Sequence, residues 1–174
     1  PTARGRRRID LAISTNGRDE LLAEFWVRVL PPPRIRITEV LVDPLIDVNG
    51  DGTVSHYEDQ FVELQNMDSV RVDLGGWRIE SGGDTFRMPG DVIVPPGDVV
   101  VVFGRIDEGH RPSWGINAGG RIAGGLSSDG RLAVATPTGA DTLLKVTCVA
   151  AERGASVVPR DESGDVWIPH PDTG

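Results

Sequence analysis

Apolar residues in this chain recur at every second position in short bursts, with no stretch at the spacing of an amphipathic helix. The first bursts are residues 9–14 (IDLAIS) and 22–30 (LAEFWVRVL), where Phe25, Val27 and Val29 alternate with Trp26, Arg28 and Leu30. They predict two strands around a turn near Asn16-Gly17. An isolated hairpin is marginal in water, so this pair is expected to be an added edge or the end of a preceding β domain. Pro31-Pro32-Pro33 follows as a stiff, extended linker. The boundary is placed there, dividing the chain into residues 1–33 and a main domain at 34–174.

Beyond the linker the alternation continues in RIRITEVLV, FVELQN, VRVDL, WRIES, DTFRM, DVIV and DVVVVF. Gly75-Gly76, Gly82-Gly83, Pro89-Gly90 and Pro95-Pro96-Gly97 separate the later pieces as turns. In RIRITEVLV, strict alternation puts Glu39 on the face of Ile35 and Ile37. Either a bulge re-aims it, or its carboxylate is partly buried and hydrogen-bonded. Residues 104–130 are glycine-rich and poorly patterned, and predict a long loop holding one short strand. RLAVA and TLLKVTCVA then form a second hairpin, and the tail from Ala155 carries short extended pieces around Val157 and Trp167. Closely spaced turns without helical period define an all-β fold, a sandwich or barrel.

One segment does not serve the alternation. Asp47–Glu58, DVNGDGTVSHYE, satisfies the calcium-loop pattern D-x-[DN]-x-[DN]-G-x5-E at every specified position. Asp47, Asn49 and Asp51 occupy positions one, three and five, where side-chain oxygens converge on a hard cation. Gly52 stands at the sharp turn of position six, and Thr53 offers its carbonyl at seven. Ser55 at nine reaches the ion directly or through water, and Glu58 at twelve closes the shell. The alternative is a solvated Asn-Gly-Asp-Gly turn. The flanks, ITEVLVDPLI and FVELQN, are strands, so the loop is a clip between strands rather than half of a paired sensor. Calcium bound there is a constitutive structural ion.

Charge sharpens the picture. Residues 1–36 carry eight Arg against four acids, net +4, and residues 37–174 carry ten basic residues against 22 acids, net −12. The acidic body repels a phosphate backbone and counts against nucleic-acid binding. No apolar run approaches the ~20 residues that span a bilayer, so membrane insertion is not expected. The single Cys148 cannot form an intrachain disulfide and lies in the apolar run LLKVTCV as an inert core thiol. The chain begins at Pro1 without a signal peptide, as a piece of a longer protein with flanking domains would.

ITEVLVDP, FVELQN, VDLGGWRI, VIVPPGDVVVVFG, SSDGRLAVATPTG and ASVVPRDESGDVWIPH, in that order over residues 35–174, resemble the lamin tail domain. The resemblance implies an immunoglobulin-like antiparallel β-sandwich, of the bacterial type with a calcium-loop insertion between the first two strands. It makes Trp77 a core aromatic after the Gly75-Gly76 turn, Asn66 a turn residue, and Trp167 and His170 the closure of one end. No coiled coil precedes the domain and its surface is acidic, so the filament and DNA roles of nuclear lamins do not carry over.

Catalytic chemistry has little to stand on. His56, His110 and His170 share no metal-ligand spacing, and no nucleophile elbow is present. Glu39 and Glu63 on adjacent strands are the one candidate acid pair, with a structural reading in which both accept backbone N–H groups. The expected function is therefore a non-catalytic, calcium-stabilised interaction or scaffolding module of a larger secreted or cell-surface bacterial protein. Its partner is a protein or a component of the cell envelope. The alternative is an ancillary carbohydrate-binding module of an extracellular enzyme, for which Trp114 in the long loop is the obvious stacking candidate.

Overall fold

The computed structural model describes residues 5–15, 18–29, 32–107, 109, 112–127, 131–138, 142–147, 153–160 and 167–170. Cys148 and His110 lie outside these residues. The chain divides into two compact units, Pro1–Pro33 and Arg34–Gly174. In the first, β1 (Gly5–Thr15) pairs antiparallel with β2 (Arg18–Val29), with a bulge between Leu11 and Ala12. These strands run longer than the alternation predicts, because arginines 6–8 extend the ladder opposite Trp26, Val27 and Arg28.

The second unit is an immunoglobulin-like β-sandwich. Its strands are β3 (Ile35–Leu41), β4 (Phe61–Asn66), β5 (Val72–Asp73), β6 (Arg78–Ser81), β7 (Asp84–Arg87), β8 (Ile93–Val94) and β9 (Val99–Phe103). They continue with β10 (Gly115–Asn117), β11 (Arg131–Ala135), β12 (Thr142–Thr147), β13 (Val157–Pro159) and β14 (Trp167–Pro169). One sheet has the order β10-β9-β4-β3-β13-β14, the facing one β12-β11-β6-β7, and β5 pairs with β8 alone. The long loop holds one strand, as expected, but β10 lies parallel to β9 in an otherwise antiparallel sheet. A 3-10 turn at Ile122–Gly124 follows, with Ala123 held at φ 45°.

Strand parity explains the packing. Along β4, Val62 and Leu64 face the main core while Phe61, Glu63 and Gln65 face outward. β9 is apolar throughout because both its faces are covered. Val100 and Val102 enter the main core, whereas Val101 and Phe103 form a second cluster with Ile106, backed by Val48 and Phe61. In β3 a bulge between Ile37 and Glu39 inserts an extra residue, returns Val40 to the core and sets Glu39 opposite Glu63.

Trp77 is 4% exposed among Leu74, Ile79 and Met88 in the main core. The turn before it is tight: Trp77 N–H donates to Leu74 O at 3.0 Å, and Gly76 holds φ at +73°. Truncating this side chain empties a large volume of the core. Trp77→Ala is expected to cost about 3–5 kcal/mol, a large share of the ~5–15 kcal/mol of a domain. Denaturant melts check this, and near-equal midpoints for parent and variant would contradict the packing.

Candidate functional site

The acidic loop joins β3 to its neighbour β4, and lies over the outer face of the six-stranded sheet, where Val48 covers the second apolar cluster. Its first half is gathered. Asp47 Oδ1 accepts the N–H of Gly50 (2.7 Å) and Asp51 (3.2 Å), and Oδ2 accepts that of Gly52 (2.7 Å). Asn49 Oδ1 accepts from Asp51 N, and Asp51 Oδ1 from Thr53 N, both at 2.9 Å. Gly50 and Gly52 hold φ at +76° and +88°, backbone conformations that favour glycine. Asn49 is buried, and its Nδ2 has no hydrogen-bond partner among the described residues.

The second half is placed differently. Thr53 is exposed, and Ser55 Oγ lies 3.4 Å from Glu58 N. Glu58 Oε1 bonds to Arg105 Nη1 at 3.2 Å. The backbone N–H of Arg105 also donates to Glu58 O, and Gly104 N–H to Gln60 O. A Cβ on Gly104 would come within 1.9 Å of the Tyr57 carbonyl, so this close approach of two backbones requires glycine. Asp59 N–H donates to Ser55 O, closing a turn at the end of the loop.

The residue that organises the loop is one the motif does not contain. Asp59 is 0% exposed; its Oδ1 accepts from Val48 N (2.8 Å) and Asn49 N (3.0 Å), and its Oδ2 from Ser55 N (2.7 Å). Three backbone donors replace water around that carboxylate and tie both ends of the loop together. Nothing local in the sequence marks it, since Asp59 reads as an ordinary polar residue just before β4.

At the loop's entry, Asp43 bonds His56 Nδ1 (3.1 Å) and Arg153 Nε (3.3 Å), while its carbonyl accepts Gly154 N–H (2.7 Å). The Arg121 guanidinium sits 3.9 Å over the Tyr57 ring. Loop, tail and the 122–127 segment therefore meet at one place. His56 is spent on this clasp.

All six proposed ligand positions supply oxygen, the donor chemistry a hard cation takes. Their gathering is uneven, since Arg105 draws Glu58 aside, and among the described residues no three His, Cys, Asp or Glu side chains converge as a metal cluster. The acid pair is likewise accounted for. Glu39 and Glu63 are cross-strand neighbours, but they accept side-chain hydroxyls rather than the backbone N–H groups expected: Ser156 Oγ to Glu39 and Thr38 Oγ1 to Glu63, each at 2.5 Å. Trp77 and Trp167 are core residues, which leaves Trp114 as the exposed tryptophan among the described residues of the sandwich unit. His170 is half-buried beside β14, its N–H bonded to Ser156 O.

An all-β, immunoglobulin-like sandwich with a clasped surface loop has the architecture of an interaction module. The family model for the lamin tail domain matches residues 29–146, more than half of the 174 residues. The chain belongs to the lamin tail domain family. The match stops before β13 and β14, yet both strands complete the six-stranded sheet beside β3. No curated protein matches the chain.

Asp59→Ala leaves three largely enclosed N–H groups without their acceptor and is expected to cost about 2 kcal/mol. Asp59→Asn should recover only part of this, because an amide offers one acceptor oxygen where the carboxylate offers two. Urea melts of the three proteins check the order, and an alanine variant within about 0.5 kcal/mol of the parent, the range of a neutral surface change, would refute it.

Proposed function

We propose that this chain is a non-catalytic, calcium-stabilised interaction or scaffolding module carried by a larger secreted or cell-surface bacterial protein. The observation that carries the reading is the seat of the acidic loop, stitched by buried Asp59 and laid by Val48 over the outer apolar cluster. A loop so placed stabilises the sheet only while it keeps its shape. Asp47, Asp51 and Glu58 repel one another across it, and a divalent cation turns that repulsion into coordination.

Asp47, Asn49 and Asp51 would hold the ion together with the Thr53 carbonyl, Ser55 and Glu58, with Glu58 released from Arg105. The pre-turned first half supports this, as does the all-oxygen donor set. Weak sites of roughly 10⁻⁴–10⁻³ M are the range of extracellular modules, so the reading and the proposed location agree. A non-catalytic role is supported by the acid pair, whose carboxylates are engaged by Ser156 and Thr38. Against the carbohydrate-binding alternative stands Trp114, the one exposed tryptophan among the described residues of the sandwich unit, which lies tilted 38° to Phe103 at 6.3 Å rather than coplanar with it.

Because the ion binds the folded state, calcium at a hundredfold excess over its Kd should stabilise by about 2.7 kcal/mol. Thermal melting in chelator and then in calcium measures this. The parent midpoint should rise, that of Asp47→Ala/Asp51→Ala should not, and Arg105→Ala should reach the full shift at lower calcium because Glu58 is freed. Magnesium should substitute poorly, since it demands a tighter octahedron. Equal shifts in parent and double variant would move the site elsewhere, and no shift in any would reduce the loop to an acidic turn.

Location is checked separately. Fractionation should recover the parent protein outside the cytosol, and a wholly cytosolic parent would end that part of the reading.

A further inference from the structure

Residues of β8, β9 and β10 line a groove of about 1100 Å3 on the sandwich unit. On this side β10 is the outermost strand of the six-stranded sheet. Trp114 O accepts Val101 N–H, and Ala118 N–H donates to Phe103 O. In a parallel ladder this parity turns the main-chain groups of Gly115 and Asn117 away from β9. Gly115 N–H is used by Pro112 O at 2.9 Å. Among the described residues, what remains on the edge is the N–H and carbonyl of half-buried Asn117, with the carbonyl of the buried Gly115 behind them, a template for one more strand.

The walls define what that strand carries. Ile93 and Trp114, 51% and 46% exposed, supply apolar surface. Asp91 and Asp98 supply two exposed carboxylates without a partner among the described residues, and none of the described residues that line the groove is Lys, Arg or His. Nucleic acid is disfavoured by those charges. A sugar would have a single tilted indole to stack on.

We propose that the groove binds an extended segment of a partner polypeptide, added as a strand along β10. Its apolar side chains pack on Ile93 and Trp114, and its Lys or Arg side chains meet Asp91 and Asp98. Main-chain bonds to the edge supply affinity, and the alternating side chains supply selection. The site rests on the interaction-module reading and gives it a partner chemistry, but it is independent of calcium.

The probe is an acetylated, amidated heptapeptide of alternating Lys and Val, titrated into ¹⁵N-labelled protein in chelator and again in calcium. Amide shifts should be confined to residues 91–98 and 114–119. Binding should weaken at least fivefold for the same peptide N-methylated along one edge, which keeps the charge and removes the ladder. It should weaken equally for Asp91→Asn/Asp98→Asn and for Trp114→Ala, each with an unchanged melting midpoint. Should Trp114→Ala fail to fold, the exposed Asp pair carries the test. Equal binding of the methylated peptide would overturn the proposal, as would shifts centred elsewhere or no binding at millimolar peptide. So would a cello-oligosaccharide that moves these amides where the peptide does not. Failure in both buffers overturns the groove while the calcium melts still stand or fall on their own.

Discussion

Two buried carboxamides at opposite ends of β4 hold the sandwich together. Gln60, Val62, Leu64 and Asn66 share the inward parity of that strand, and none is more than 1% exposed. Gln60 Nε2 donates to Val42 O (2.6 Å) and Leu126 O (3.0 Å), and its Oε1 accepts Leu126 N–H (2.8 Å). Asn66 Nδ2 reaches the carbonyls of Val70, Val94 and Pro95 within 2.8–3.0 Å, and its Oδ1 accepts Asp68 N–H. A sandwich must pass chain from one layer to the other, and at each crossing backbone groups leave their ladder inside the core. Such groups cost roughly 1–3 kcal/mol each if left unpaired. The two amides pair them, so β4 fixes the ends of the core as well as its centre.

The acidic loop depends on the same logic on the outer face. Phe61, Val101 and Phe103 stand on the side of the sheet away from the main core, and would face water without a cover. Val48 provides part of that cover, and Asp59 holds Val48 in place by accepting its N–H. The turns of the first half of the loop are then set by the side-chain bonds of Asp47, Asn49 and Asp51 to its own backbone. The buried anchor and the residues of the ligand pattern are thus neighbours in one segment.

The outer face also keeps two carboxylates directly opposed, an arrangement that ordinarily destabilises a strand pair. At Glu39 and Glu63 the β3 bulge makes room for Thr38 and β13 brings Ser156, so each acid has its own hydroxyl donor. The bulge thus both restores the hydrophobic register after Ile37 and accommodates the charge that broke it.

Strands, their order of appearance and the loop motif were legible in the sequence because they rest on local physics: period-two alternation, glycine and proline turns, and a twelve-residue ligand pattern. Trp77 was legible through the family resemblance, which makes it the core aromatic after Gly75-Gly76. The parallel placement of β10 was not, because its three residues carry too little pattern to choose a direction. Nor was the pairing of Glu58 with Arg105, which lie 47 positions apart and meet only because β9 runs beside β4. Asp59 and Gln60 read as ordinary polar residues before a strand, and only burial in the folded chain gives them their roles. The sequence by itself determined which segments form strands and where an ion-type loop is inserted. The tertiary structure decided which polar groups are enclosed and what they hold, because burial and hydrogen-bond partnership are properties of surfaces brought together from distant parts of the chain.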